Sequence, residues 1–207
     1  MAPVTIRHVL YLCRMVTTID DLPDQELAFH WKGGRVCLDF VATVGERWRR
    51  SFERLRTPGD LGRWIAAAGF AGAPPTVSDA ELDAARELRE AINRLARPGL
   101  TPRPDDRGLV NARAGHPDPV PQLTADTELA WKGPVRVEAV LSAVARDAID
   151  LLAGPLADRI RECAADDCAL LFVDASRPGS RRWCATGACG NREHTKAYRR
   201  RRREAAG

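Results

Sequence analysis

Residues 163–192 read CAADDCALLFVDASRPGSRRWCATGACGNR, and the four cysteines in this stretch decide the C-terminal fold. Four residues separate Cys163 from Cys168, four separate Cys184 from Cys189, and fifteen lie between the pairs. Pairs at that spacing supply two thiolates from each of two tight backbone knuckles, which is the donor set of a tetrahedral zinc site with sulfur at about 2.3 Å. Four protein ligands leave no open position. One structural Zn2+ is therefore expected, and zinc hydrolase chemistry is disfavoured. His194, just beyond Cys189, is a lesser ligand candidate, and the isolated Cys13 and Cys37 read as small core residues.

Between the pairs, Ala169–Ala175 reads as a strand, Arg177, Pro178, Gly179 and Ser180 as a turn, and Arg181–Cys184 as the return strand. From Asn191 to Glu204 there is no helix breaker, so the second knuckle should open a helix, with Asn191 as its cap and Gly190 allowing the sharp turn before it. Trp183 should pack on the segment that delivers Cys163. Knuckle, hairpin, knuckle and helix make a treble-clef-like zinc finger. On that helix Arg192, Lys196, Arg199 and Arg203 fall within about 60° of arc, with Arg200 beside them. Arg177, Arg181 and Arg182 on the hairpin are expected to widen the patch. Like charges along one face repel one another without a counter-anion, and a cationic stripe on a helix matches a phosphate backbone and a major groove. DNA is the expected partner. RNA is the alternative, although no aromatic stacking platform of the kind used by single-strand binders is present.

The charge distribution agrees. The chain of 207 residues has a formal net charge of +4, yet from Ser176 onward ten Arg or Lys face only two Glu, leaving +8 there and −4 in the first 175 residues. A mildly acidic body with a strongly basic end suits a polyanionic partner. With 44% apolar and 29% charged residues the chain buries a real core. No apolar run reaches the roughly 20 residues of a membrane span, and no secretion signal is recognisable, so a cytoplasmic protein, nucleoid-associated when bound to DNA, is expected. No Ser/His/Asp set, glycine-rich phosphate loop or open metal triad appears, and no catalytic residue is assigned.

Upstream, three units are expected: an extension over 1–26, a body over 27–157 and the finger over 158–207. The first carries a weak helical pattern (Ile6, Val9, Leu10, Cys13, Val16), compatible with a docked helix or a loose extension. Leu27–Trp31 and Val36–Val41, rich in β-branched and aromatic residues about Gly33 and Gly34, predict a β-hairpin. Thr57, Pro58 and Asp60 signal the start of a helix that Gly69 ends, and Ser78 with Glu81 forms a capping box for a second that runs to Arg97. Further helices are expected over Asp105–Ala114, Val135–Ala153 and Leu156–Arg161, with a small hairpin from Gln122–Leu123 and Leu129–Trp131. The fold class is α+β, a mainly helical body with small β-hairpins followed by the finger. Arg35, Asp39, Glu46, Arg47 and Trp48 lie close enough in sequence to form a polar pocket, with salt bridges on the surface as the plainer reading.

Cys189, Gly190, Asn191 and Arg192, preceded by Ser180, Arg181, Arg182, Trp183 and Cys184, resemble the CGNR zinc finger over about Arg161–Arg203. Phe29 through Gly33, Gly34, Arg35 and Asp39 to Thr43, then Leu55–Gly69, resembles the ABATE domain that accompanies it. The resemblance implies a bacterial, stress-induced transcription regulator, with the four cysteines on zinc and the finger on DNA. The body is expected to sense a signal such as a small-molecule effector or to form a homodimer; the alternative is a small-molecule-binding ABATE body for which the finger is an anchor. Ala42 departs from the family pattern, which has Asn between Val41 and Thr43, and His194 and Thr195 stand where a more basic stretch is common.

Overall fold

The computed structural model describes residues 28–205. The readings placed on residues 1–27, including Cys13, lie outside the described residues.

The first departure from expectation is at Val36–Val41, which is a helix, α1, rather than the second strand of a hairpin. Cys37, Leu38, Phe40 and Val41 are all buried, so the segment is apolar on nearly every side. With Asp39 its one polar residue, so short a run has no periodicity to distinguish helix from strand. Gly34 at φ 76 turns the chain into α1, and Asp39 Oδ1 accepts from the Gly33 N–H at 2.7 Å, bracing the entry. The hairpin comes next instead. Val44–Gly45 (β1) pairs antiparallel with Phe52–Glu53 (β2) around a turn that carries no Asn-Gly or Gly-rich signal.

The remaining body helices follow their caps. Thr57 and Asp60 form a reciprocal capping box at the start of α2, Pro58–Ala67, and Gly69 at φ 81 follows its C-cap. Ser78 and Glu81 do the same for α3, Asp79–Ala96. Then come α4 (Asp106–Ala114), the hairpin of β3 (Pro121–Leu123) with β4 (Leu129–Trp131), and α5 (Val137–Ala153). Helices α3, α4 and α5 pack on one another, and α1 lies against α3 and α5. Leu88, Ile92, Val140, Val144 and Trp64 are fully buried where these elements meet.

The hairpin β1–β2 is clamped to α3 by ion pairs. Arg89 makes a bidentate contact to Glu53 (2.7 Å on both arms) and a third bond to Glu90 at 2.9 Å, while Arg47 grips Glu90 at 2.8 and 3.0 Å. Burial works against the Glu90 carboxylate, but the charges and hydrogen bonds of Arg47 and Arg89 override it and hold its pKa down at about 2.

After α5 the chain makes one 3-10 turn, Ala157–Arg159, in place of the longer helix expected to Arg161, and enters β5, Ile160–Glu162. This strand pairs antiparallel with β6, Leu171–Val173. The strand expected within Ala169–Ala175 is present, but its partner lies upstream, so the hairpin encloses the first cysteine pair. Arg181–Cys184 is not a strand. Among the described residues its one backbone–backbone bond to the hairpin runs from the Ala164 N–H to the Arg182 carbonyl, and Asp174 Oδ2 takes the Arg181 N–H at 2.8 Å. The turn closes one residue earlier than expected, with the Gly179 N–H donating to the Ser176 carbonyl and Gly179 at φ 62.

Strand β6 belongs to two cores. Leu171 and Val173 join the body core together with Ile160, and the Val173 N–H donates to the Gly33 carbonyl beside α1. Leu170 and Phe172 face the other way, into a second cluster with Ala42 and the finger cysteines. The period-two alternation of a strand thereby welds finger to body.

Candidate metal centre and basic helix

Cys163 and Cys168 sit in the loop joining β5 to β6, while Cys184 lies just before a single π-helical turn, Thr186–Gly190, and Cys189 lies within it. The four Sγ atoms lie within 4.8 Å of one another. Cys168 and Cys184 sulfurs are 3.9 Å apart, and those of Cys184 and Cys189 are 3.5 Å apart. A tetrahedron with metal–sulfur bonds of about 2.3 Å has edges of about 3.8 Å, so the set fits one zinc ion. Cys163, Cys184 and Cys189 are buried and Cys168 is half-buried, which closes the site. Cys163 Sγ also accepts from the Cys184 N–H at 3.4 Å.

The thiol chemistry fits as well. Hydrogen bonds from Cys168 and Cys184 push the Cys163 thiol far down, and contacts with Cys163 and Cys184 push Cys168 up. Thiols this close cannot all ionise without a cation between them, and a divalent metal removes that conflict. The cluster is a site for one structural zinc. His194 takes no part in it. Its ring packs edge-on against Trp183 at 5.1 Å between centroids. Trp183 meets the His194 ring and the Arg182 guanidinium and packs against the cluster that holds Cys163, so it braces the last helix against the finger core. Cys37 is buried in the body core as expected.

The π turn runs straight into α6, Asn191–Glu204. Asn191 does not cap it. Its amide donates to the Gly187 carbonyl, and Gly190 has ordinary helical angles, φ −60 and ψ −51. The glycine is thus not required by the backbone, although a side chain there would meet Trp183 at 3.4 Å.

No residue of α6 is buried. At its base Arg192 Nη2 donates to Asp167 Oδ1 at 2.8 Å and lies 3.4 Å from Cys189 Sγ. Lys196 bonds Glu193 at 2.7 Å and stands 3.8 Å from Asp167. Burial alone would raise the Asp167 carboxyl, but Arg192 and then Lys196 hold it below its usual range. Asp167, inside the first knuckle, was not singled out by the sequence reading, although an acidic pair before a ligand cysteine is a signal for a basic partner. Farther out, no ion pair among the described residues engages Arg199 or Arg203, and Arg200 has only a long contact to Glu204 at 3.8 Å. Arg177 and Arg182 are exposed near the finger surface. Arg181 is committed inward: Nε donates to the Trp183 carbonyl at 2.8 Å, Nη2 to that of Cys184, and the guanidinium lies over Phe172.

The five residues considered for a polar pocket do not converge. Arg35 pairs with Asp147 and Asp150 at 2.7 and 2.6 Å, Glu46 with Arg50, Arg47 with Glu90 and Trp48 with Glu162. Asp39 braces Gly33, and burial raises its carboxyl to about 6. Arg97, on the contrary, was missed. Its side chain is 0% exposed, and it reaches from the end of α3 to the Ala169 carbonyl at 2.8 Å and to Glu162 at 3.0 Å.

A helical body sharing a strand with a four-thiolate module defines a zinc-finger protein with a fused N-terminal domain. The family comparisons give both parts: the CGNR zinc finger matches residues 159–202, and the ABATE model, described as a putative stress-induced transcription regulator, matches residues 34–155. The chain belongs to the ABATE family. No curated protein gave a significant match.

Proposed function

We propose that this protein is a DNA-binding transcription regulator, in which zinc fixes the finger fold, α6 grips the phosphate backbone, and the ABATE body receives a signal or forms a dimer. The observation that carries the reading is the position of Arg199, Arg200 and Arg203 on an exposed helix whose base is tied to the zinc site by Arg192. A cationic row held on a rigid scaffold loses less entropy on meeting a polyanion than a loose basic tail does. No helix among the described residues is long and apolar enough to cross a membrane; a cytoplasmic, nucleoid-associated location belongs to the proposal and follows from its DNA partner. The family description adds the stress-induced context.

Mapping bound sites across the genome of the native host tests the proposal and identifies the targets. Enrichment at discrete promoters supports it. Crosslinking to RNA in place of DNA would move the same arginines to an RNA-binding role and overturn the DNA reading.

A further inference from the structure

A cleft of about 450 Å³ lies between the β1–β2 turn of the body and the two knuckles of the finger. That volume is in the range of small-metabolite sites. Five cationic side chains line it: Lys32, Arg49, Arg50 and Arg54 from the body and Arg192 from the finger. Two carboxylates face them, Glu46, which pairs with Arg50 at 2.7 Å, and Asp167, which pairs with Arg192. A zinc tetrathiolate in the wall carries a formal charge of about −2, and the cations still exceed the anions.

The base of the cleft is built. Arg54 is 4% exposed, and its guanidinium is positioned by the Ala42 carbonyl at 3.0 Å, by His30 Nε2 at 3.1 Å and by the Phe52 ring at 4.7 Å. Burial, then the charges of Arg54 and Lys32, depress the His30 pKa to about 4, so the ring beside Arg54 is neutral at pH 7. Val44, Phe52 and Leu170 add apolar wall. The turn above it is strained: Glu46 and Ser51, neither a glycine, have φ 41 and 48, and between them stand Arg49 and Arg50. Left-handed non-glycine residues persist only where the surroundings impose them, and they gather at ligand clamps.

We infer that this cleft binds a small organic anion bearing a phosphate or carboxylate group, held between body and finger. The inference deepens the regulator reading by giving it an effector site. An occupant reaches Arg192, the first residue of the basic stripe, so the site is placed to report to α6.

Calorimetric titration of the zinc-loaded full chain with phenyl phosphate, at ionic strength fixed with sodium chloride, tests it. The inference predicts saturable one-to-one binding, at least tenfold weaker in the double variant Lys32→Ala/Arg49→Ala and unchanged in Arg199→Ala/Arg203→Ala. Lys32 and Arg49 are exposed, so that variant should fold, which circular dichroism checks. Absence of saturable binding, equal binding by the cleft variant, or loss in the helix variant would each overturn the inference. So would a fall in duplex-DNA affinity in the cleft variant without phenyl phosphate binding, which would make the cleft part of a nucleic-acid face. Phenyl phosphate binding in a protein that ignores DNA would instead leave the site standing and remove the regulator reading.

Discussion

Leu171 and Phe172, adjacent on β6 and both fully buried, point into different cores: Leu171 into the helical body, Phe172 into the finger beside the cysteines. Finger and body are therefore mechanically coupled through one strand, and the finger is not a bead on a linker. Truncating either residue should cost about 3 kcal/mol, but with different signatures. Leu171→Ala should lower the midpoint of denaturation of the body, read by far-ultraviolet circular dichroism, with zinc retained. Phe172→Ala should weaken zinc retention in a competition with chelator.

Zinc removal should reach beyond the finger for the same reason. Cys184→Ser removes one of four ligands, and the expected result is loss of bound zinc together with a drop of roughly 5 °C in the melting temperature of the body, about 2 kcal/mol for a chain of this size. A body transition unmoved by the substitution would show that β6 does not carry the coupling.

Arg97 provides a second tie. Its buried guanidinium bonds the Ala169 carbonyl, Asn93 Oδ1 at 2.9 Å and Glu162, and lies over the Trp48 ring at 5.1 Å. Arg97→Ala leaves a carbonyl and a carboxylate without this partner and opens a void, so it should destabilise the fold by about 3 kcal/mol in urea denaturation.

The acid limb of stability should carry the signature of Glu90. Its folded pKa, about 2, lies below the ordinary 4.5, so the unfolded chain binds the proton more readily. The stabilisation is complete above pH 4.5 and is lost as pH falls from 4.5 towards 2. Urea denaturation across that window should show a steep loss in the wild type and a shallower one in Glu90→Gln, which starts from lower stability at pH 7.

Much of this architecture is legible in the residues. The caps at Thr57 and Ser78, the apolar stripe of α5 and the cysteine spacing each express a local rule, and each element lies where that rule places it. Where tertiary context decides, reading fails. Val36–Val41 is a helix because it is buried on nearly all sides, and β6 turns to β5 because Asp174 and the internal contacts of Arg181 occupy the segment that would otherwise pair with it. Asp167 and Arg97 act through partners 25 and 72 residues away, a distance no local pattern spans. The departure at Ala42 also acquires a place: the residue is 6% exposed and belongs to the finger cluster, so a small apolar side chain there helps seal the two units together.

If α6, anchored on zinc, holds a phosphate backbone, its grip must depend on salt. Fluorescence anisotropy of a labelled DNA duplex with zinc-loaded protein, from about 50 to 300 mM salt, measures it most directly, since log affinity falls with log salt by about 0.9 for each phosphate neutralised. A slope steeper than about −3 is expected for the wild type. Arg199→Ala/Arg203→Ala should bind at least tenfold more weakly with a slope shallower by about 2, at unchanged stability and zinc content. Equal affinity and equal slope for the two proteins would contradict it.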